Sequence, residues 1–367
     1  MKLFSFLTCA LFGCACSPFL CATEPIFQYD VADLQALAEL PSEHTMSLQE
    51  VQKWDAIASR VVEENRFNFY EGVRFFTYLY VAQNEAITLT NNLNQTFRGS
   101  LDPISYQVTT LFFPEIEKTT LFNEDPFSVK LAEMILTHIS ARVEQENSLH
   151  TTFFVPLNLK QDFSAGLDVA KWTPWFAKPE KDYWPAPPPS IQDPIWQKQI
   201  AAIKNAQNPM TEEKKRVIFR WAGLAYPGSS DFREIANQYF LCHDVPLKTV
   251  LLARSIMMIG LYDCVIAYTS CKYHYLFPRP QKLDPTVVYI IPVPKHPSYP
   301  SGHATESTVV ARILSHFFPQ DSHFWENLGQ ICRNSRIWAG IHYPIDNEAG
   351  IVCGNKVADT ILTELTN

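Results

Sequence analysis

The sequence predicts a mostly helical protein. Helix-start signals recur along it, apolar residues follow them at helical spacing, and only one short segment reads as extended. Ser47-Leu48-Gln49-Glu50 is a capping box, in which serine and glutamate satisfy each other's backbone donors, and it opens a helix predicted to reach about Asn65. A second amphipathic run covers Phe67 to about Asn91. Asp125-Pro126 sets an N-cap acid before a first-turn proline, and Val129, Leu131, Met134, Ile135 and Ile139 follow at helical spacing. Residues 23–170 therefore read as an N-terminal helical layer with no chemistry of its own.

Residues 171–200 form a connection of different composition. Pro174, Pro179, Pro185, Pro187, Pro188, Pro189 and Pro194 interrupt any helix, and Trp172, Trp175, Trp184 and Trp196 cluster among them. Proline donates no hydrogen bond and biases its predecessor toward extended geometry, so an ordered, irregular strap across the helical core is expected rather than a lid. Helices resume in residues 201–367, over Thr211 to Gly223 and from the capping pattern Asp231-Phe232-Arg233-Glu234. Val250 to about Tyr273 reads as a long buried helix, and Thr286 to Val293 as the extended stretch. Gly302 to Phe318, Trp325 to Gly340 and Asp346 to Leu365 complete the set. Gly350, Gly354 and Ala358 form a small-residue stripe that lets another helix approach closely.

The chain of 367 residues is 47% hydrophobic and 13% aromatic, enough for a large core and against disorder. A net charge of −8 argues against nucleic acid as a partner, because a phosphate backbone needs a basic face. Lys2 followed by the apolar run Leu3 to Phe12 reads as an export signal within residues 1–22, too short to span a bilayer. Leu11-Phe12-Gly13-Cys14 resembles a bacterial lipoprotein box, which would make Cys14 a lipid anchor. Ordinary cleavage near Ala22 is the other reading. An exported protein, periplasmic or membrane-anchored through a lipid in a bacterium, is expected on either. No membrane span is expected in the mature chain: Leu251 to Ala267 is apolar but contains Arg254 and Asp263. Four of the nine cysteines lie in the signal region, leaving Cys242, Cys264, Cys271, Cys332 and Cys353, an odd set without a CxxC pair. Nothing in the sequence sets an oligomeric state.

An acidic protein that handles an anion must build a local cationic pocket, and three segments supply one. They are Lys272 with Arg279-Pro280, then Pro300-Ser301-Gly302-His303, then Ser335-Arg336 with His342 and Asp346. Ser301-Gly302-His303 falls where a loop becomes a helix, whose first amides lack internal acceptors and carry the positive end of the dipole. Gly302 lets backbone approach a ligand, and Ser301 adds a hydroxyl. Arg279 and Arg336 offer planar forks for two oxygens, and Lys272 a point charge. Asp346, four residues after His342, can fix its tautomer and leave a nucleophilic lone pair on the other nitrogen. His303 is then the candidate general acid. The segments fix eleven positions in order, a chance match on the order of 10⁻¹⁴ at given places.

Together these segments resemble the signature of the type 2 phosphatidic acid phosphatase and vanadium haloperoxidase superfamily, strongly over about residues 210–360. The helical layer, the Trp- and Pro-rich connection and Ile341-His342-Tyr343 are more loosely similar to its long, soluble, haloperoxidase-like bacterial members. The resemblance implies an all-α helical bundle. In the phosphatases it implies a phosphorylated residue at His342, a proton donor at His303 and oxyanion contacts from Lys272, Arg279, Ser301, Gly302 and Arg336. In the haloperoxidases it implies vanadate ligated at the His342 position. His296 falls where some bromoperoxidases of this pattern carry histidine, though by its own context it reads as a loop residue ahead of Pro297.

Two functions are therefore expected. The first is an exported phosphohydrolase acting on a small phosphorylated substrate through a phosphohistidine, with no cofactor or metal. The alternative is a vanadium-dependent haloperoxidase using vanadate, halide and peroxide.

Overall fold

The caps written into the sequence start the helices. In this computed structural model, which describes residues 24–366 apart from 94, 96, 118–121, 161, 177–179 and 223–230, α1 (Val31–Glu39) follows Asp30, whose carboxylate accepts from the Ala32 amide at 2.8 Å. α2 (Leu48–Glu64) has the full capping box, the Ser47 amide donating to Glu50 at 3.0 Å and the Glu50 amide to Ser47 Oγ at 3.3 Å. Asn68 and Glu71 make a second box ahead of α3 (Phe69–Asn92). α4 (Asp102–Phe112), like α1, was not anticipated, and α5 (Pro126–Ser148) starts at Asp125, which accepts from the Ser128 amide at 2.9 Å. The signal segment and the Cys14 anchor lie outside the described residues.

After the strap come α6 (Ile195–Gln207), also unanticipated, α7 (Glu212–Arg220), α8 (Asp231–Cys242) and α9 (Leu247–Tyr275). The predicted end of α7 at Gly223 and the Asp231 cap lie outside the described residues and side chains. The short α10 (Pro280–Leu283), α11 (Gly302–Phe317), α12 (Ser322–Trp338) and α13 (Pro344–Thr366) follow. Among the described residues there is no strand, only an isolated bridge between Thr45 and Arg98. The stretch 286–293, predicted extended, is irregular: its backbone bonds are a turn from the Val287 amide to the Asp284 carbonyl at 3.1 Å and one from the Ile290 amide to the Ala339 carbonyl at 3.1 Å, which make no ladder.

α9 is the axis of the bundle. Every residue from Val250 to Tyr273 is buried, with α3, α11 and α13 packed around it. A Cβ at Gly260 would stand 2.5 Å from the Ile313 side chain, so the glycine sets the approach of α9 and α11. The small-residue stripe works as predicted: a Cβ at Gly350 would lie 2.6 Å from the Ser301 carbonyl, and one at Gly354 2.6 Å from that of Thr305. One apolar cluster runs from Leu37 to Ile361, so the N-terminal layer shares its core with the helices that follow.

Among the described residues one helix, the one containing α9, is long and apolar enough to cross a membrane, and its apolar window is wholly buried in the protein. Arg254 and Asp263, the charges within its apolar stretch, are answered internally. Arg254 pairs with Asp55 at 2.7 Å, and the Asp263 carboxylate accepts from the amides of Trp175 and Phe176 at 2.8 and 3.0 Å. The latter bonds belong to the strap. Trp172 also stacks on Tyr262 at 4.6 Å between centroids, and the Trp184 indole donates to Ser270 at 2.9 Å. The expected strap is therefore stitched to the polar atoms of an otherwise apolar helix.

Candidate functional site

The last turn of α9 and the loop after it bring the first two cations inside. Lys272 is fully buried and donates to the carbonyls of Pro297 and Ser298, each at 2.9 Å, and of Pro300. An ammonium has three donors, and all three have acceptors. Lys272 thus charges the site from behind and fixes the loop that delivers Ser301 to the start of α11. The direct Lys272 contact with an anion that was expected would exchange one of these carbonyl bonds for a ligand oxygen.

Arg279 is equally enclosed. Its Nε donates to the His296 carbonyl at 3.2 Å, and its Nη1 to the Ile341 carbonyl at 2.6 Å and to Nε2 of His342 at 2.9 Å. A guanidinium only donates, so His342 Nε2 carries the lone pair and Nδ1 the proton. That proton goes to Asp346 Oδ2 at 2.7 Å, across one turn at the start of α13. Burial, then the charges of Arg279 and Lys272, hold the His342 imidazole well below its ordinary value, so it is neutral. Burial also depresses Arg279 to about 10, which leaves it charged at neutral pH. Asp346 Oδ2 accepts from Ser298 Oγ at 2.6 Å and from the Tyr343 amide at 3.1 Å as well. Burial pushes this carboxyl up, against the Ser298 bond and the Lys272 charge.

α11 supplies the opposite wall. Ser301 caps it, accepting from the Ala304 amide at 3.3 Å, while the Ser301 amide donates to the Asp346 carbonyl at 2.9 Å and ties α11 to α13. A Cβ at Gly302 would stand 3.1 Å from the Tyr268 ring, so the glycine gives room to that ring as well as to a ligand. His303 Nε2 lies 2.8 Å from the Trp221 carbonyl, which only accepts, so Nε2 bears the proton. Burial, then Arg336, pushes His303 down to about 3. Arg336, at the end of α12, is 1% exposed and donates to the Ile218 carbonyl at 3.2 Å and to Ser335 Oγ at 2.9 Å.

These groups surround one cavity of about 870 Å³. Gly302, His303, His296, Ile341 and His342 line it, with Lys272, Arg279, Ser301 and Arg336 buried behind them. All eight sequence-predicted site residues are therefore gathered in one region. The N-terminal layer, expected to take no part, contributes Tyr70, Glu71 and Arg74 to the opposite wall, and the strap contributes Trp172.

Glu306, Ser298 and Trp221 escaped the sequence reading, and His296 was noted there only through the resemblance. His296, read as a loop residue, lies on the cavity wall with Nδ1 3.2 Å from Arg279 Nη2. Glu306 lines the cavity too. It accepts from the Tyr268 hydroxyl at 2.8 Å, and burial lifts its carboxyl to about 7. Its position three residues after His303 puts both on one helix face, a signal that was there to be used. Ser298 and Trp221 act through long-range contacts that leave no local pattern.

Known proteins resemble this chain in family signature and in fold. Residues 250–361 match the family model of the PAP2 superfamily, the one whose signature the three segments resemble. No curated protein matches the chain. Among solved structures the fold is similar to that of a protein described as the first bacterial vanadium-dependent iodoperoxidase, with a TM-score of 0.66 and 15% identity over 89% of this chain and 98% of that one. It is also similar to a bacterial vanadium-dependent chloroperoxidase in its apo form, with a TM-score of 0.51 and 11% identity over 79% and 84% of the two chains. At such identities the likeness is one of fold, and the fold is the all-α bundle.

Proposed function

We propose that this PAP2-superfamily chain is a phosphohydrolase that cleaves phosphate esters through a phosphohistidine at His342. The carrying observation is the His342 ring itself. Its Nδ1–H is tied to Asp346, and its Nε2 lone pair meets a guanidinium beside an open cavity. A phosphoryl group entering there draws Arg279 Nη1 onto its own oxygens and leaves Nε2 free to attack phosphorus. The P–O ester bond breaks as the N–P bond forms, with Arg279 forked on the oxygens and the Lys272 and Arg336 charges behind them. The dianionic group also raises His303 from its value of about 3, so the imidazole can bind the proton it gives to the leaving oxygen. Water then attacks phosphorus, passes a proton to His303 and releases phosphate, restoring the His342 lone pair.

The size of the cavity favours an ester over halide and peroxide, because about 870 Å³ leaves room for an organic leaving group. Purified protein is expected to release p-nitrophenol from its phosphate ester, with inhibition by vanadate. Bromination of a dye that requires added vanadate and peroxide, without ester hydrolysis, would reverse the assignment.

That second reading, a vanadium-dependent haloperoxidase, is favoured by a fold likeness extending over 98% of the iodoperoxidase chain and by His296 beside Arg279. The site fits the group: neutral His342 would hold vanadium, and Arg279, Ser301, Gly302 and Arg336 its oxygens, with Lys272 as background charge. Bound vanadate would supply activation of peroxide toward halide. Export is proposed with either activity, on Lys2 and the run Leu3 to Phe12, with cleavage before Cys14 or near Ala22. Mass spectrometry of the mature N-terminus distinguishes the two cleavages, and an intact N-terminus in the cytoplasmic fraction overturns export.

A further inference from the structure

A second cavity, of about 740 Å³, lies between α2, α3, α8 and α9 and shares no lining residue with the first. At its inner end Asp55 meets two arginines, Arg254 at 2.7 Å and Arg233 at 3.0 Å. Both are buried, 1% and 4% exposed, with Arg254 3.7 Å over the Tyr80 ring and Arg233 4.1 Å over that of Phe76. The Tyr80 hydroxyl and the Asn237 amide also donate to Asp55, and Arg233 donates to Ser59 Oγ at 3.0 Å. Burial alone would raise Asp55, but the two guanidinium charges outweigh it and hold the carboxyl below its ordinary value. One carboxylate thus faces two permanent cations, and a unit of positive charge is left over inside the protein.

Donors are left over too. Among the described residues Arg233 Nε and Arg254 Nε and Nη1 are buried without an acceptor. An uncompensated buried charge and unpaired donors are costly, and an anion would answer both. Along the cavity the lining is apolar, with Val51, Val62, Phe240 and Val250. Arg60, Glu63 and Glu234 at its edge are exposed, so solvent screens them, and the two carboxylates disfavour a ligand with a second negative end.

We infer that this cavity binds a single-headed amphiphilic anion, a carboxylate or phosphate-type headgroup at Arg233 and Arg254 with an apolar chain along Val51, Val62 and Phe240. Planar guanidinia suit either headgroup, and small turns of their side chains bring the unpaired donors to it. The site is independent of the chemistry at His342.

Calorimetric titration of the full chain with decanoate and with decylphosphonate, which cannot be hydrolysed, tests this and separates the two headgroups. At least one is expected to bind saturably at one site, with acetate and decanol each weaker by about tenfold or more. Asp55→Asn removes the competing carboxylate and is expected to tighten binding about tenfold. Ala56→Trp, at an exposed position on the lining, is expected to abolish binding while leaving the thermal midpoint in place. That variant keeps the test decisive if Asp55→Asn does not fold. Absence of saturable binding by either probe, or binding that survives Ala56→Trp, overturns the inference and leaves the cluster a tie between helices.

Discussion

Two clusters of buried charge hang on α9, and they answer their cations differently. Lys272 is surrounded by three backbone carbonyls, whereas Arg254, eighteen residues and so about five turns earlier, shares the Asp55 carboxylate with Arg233. Carbonyl dipoles solvate a cation without cancelling its charge, so the field of Lys272 still reaches the cavity. Lys272 thus helps to depress His342, His303 and His296, while burial, then the Arg279 charge, lowers its own affinity for a proton. A carboxylate cancels most of the charge where it stands. The first cluster thereby leaves its charge facing a cavity, and the second ties helices together with a single positive charge to spare.

Substitutions should separate the two clusters. The largest effect is expected from His342→Ala, which removes the nucleophile and lowers turnover by roughly 10⁴-fold or more with little change in the melting transition. Retained hydrolysis would place the nucleophile elsewhere. Asp346→Asn keeps the shape but unpins the His342 tautomer, and a loss of roughly 10³- to 10⁴-fold in kcat is expected, again without unfolding. The second cluster should behave in the opposite way. Asp55→Asn is expected to destabilise the protein by about 3 kcal/mol in denaturant titration, because it leaves two buried guanidinia facing each other, while kcat stays within a fewfold of the original. Equal losses of activity and stability at both sites would erase the distinction.

The smallest predicted effect concerns Glu306. Its folded-state value of about 7 lies above the ordinary carboxyl range, so the group is neutral below pH 7 and ionised above it. A negative charge appearing in the cavity opposes an incoming oxyanion. The KM of the wild type should therefore rise relative to that of Glu306→Gln as pH climbs through about 7, by up to roughly tenfold. Taking the ratio of the two proteins cancels the substrate's own titration. A ratio that stays flat would show that the carboxyl does not face the bound substrate.

Much of the site was legible because it is written in local spacing. His342 and Asp346 sit one helical turn apart, and Ser301 stands at a helix start, so sequence neighbours become spatial neighbours with no help from the rest of the fold. The helices opened by Ser47 and Asp125 were legible for the same reason, since a cap acts within one turn. α1, α4 and α6 were not. α4 and α6 have no side-chain cap, and each follows a proline- or loop-rich stretch that masks its periodicity, while α1 has its Asp30 cap but is only nine residues long.

By itself the sequence determined that the chain is helical, where most helices begin, and which cations and histidines gather around one cavity. Only the tertiary structure decided that Lys272 is held by three carbonyls, that Tyr70 and Trp172 wall the cavity, that His296 and Glu306 line it, and that Asp55 is shared by Arg233 and Arg254. Helix caps and one-turn pairs are fixed by backbone geometry over a few residues. Contacts between residues that are far apart in sequence are set by how whole helices pack, and no local pattern encodes that.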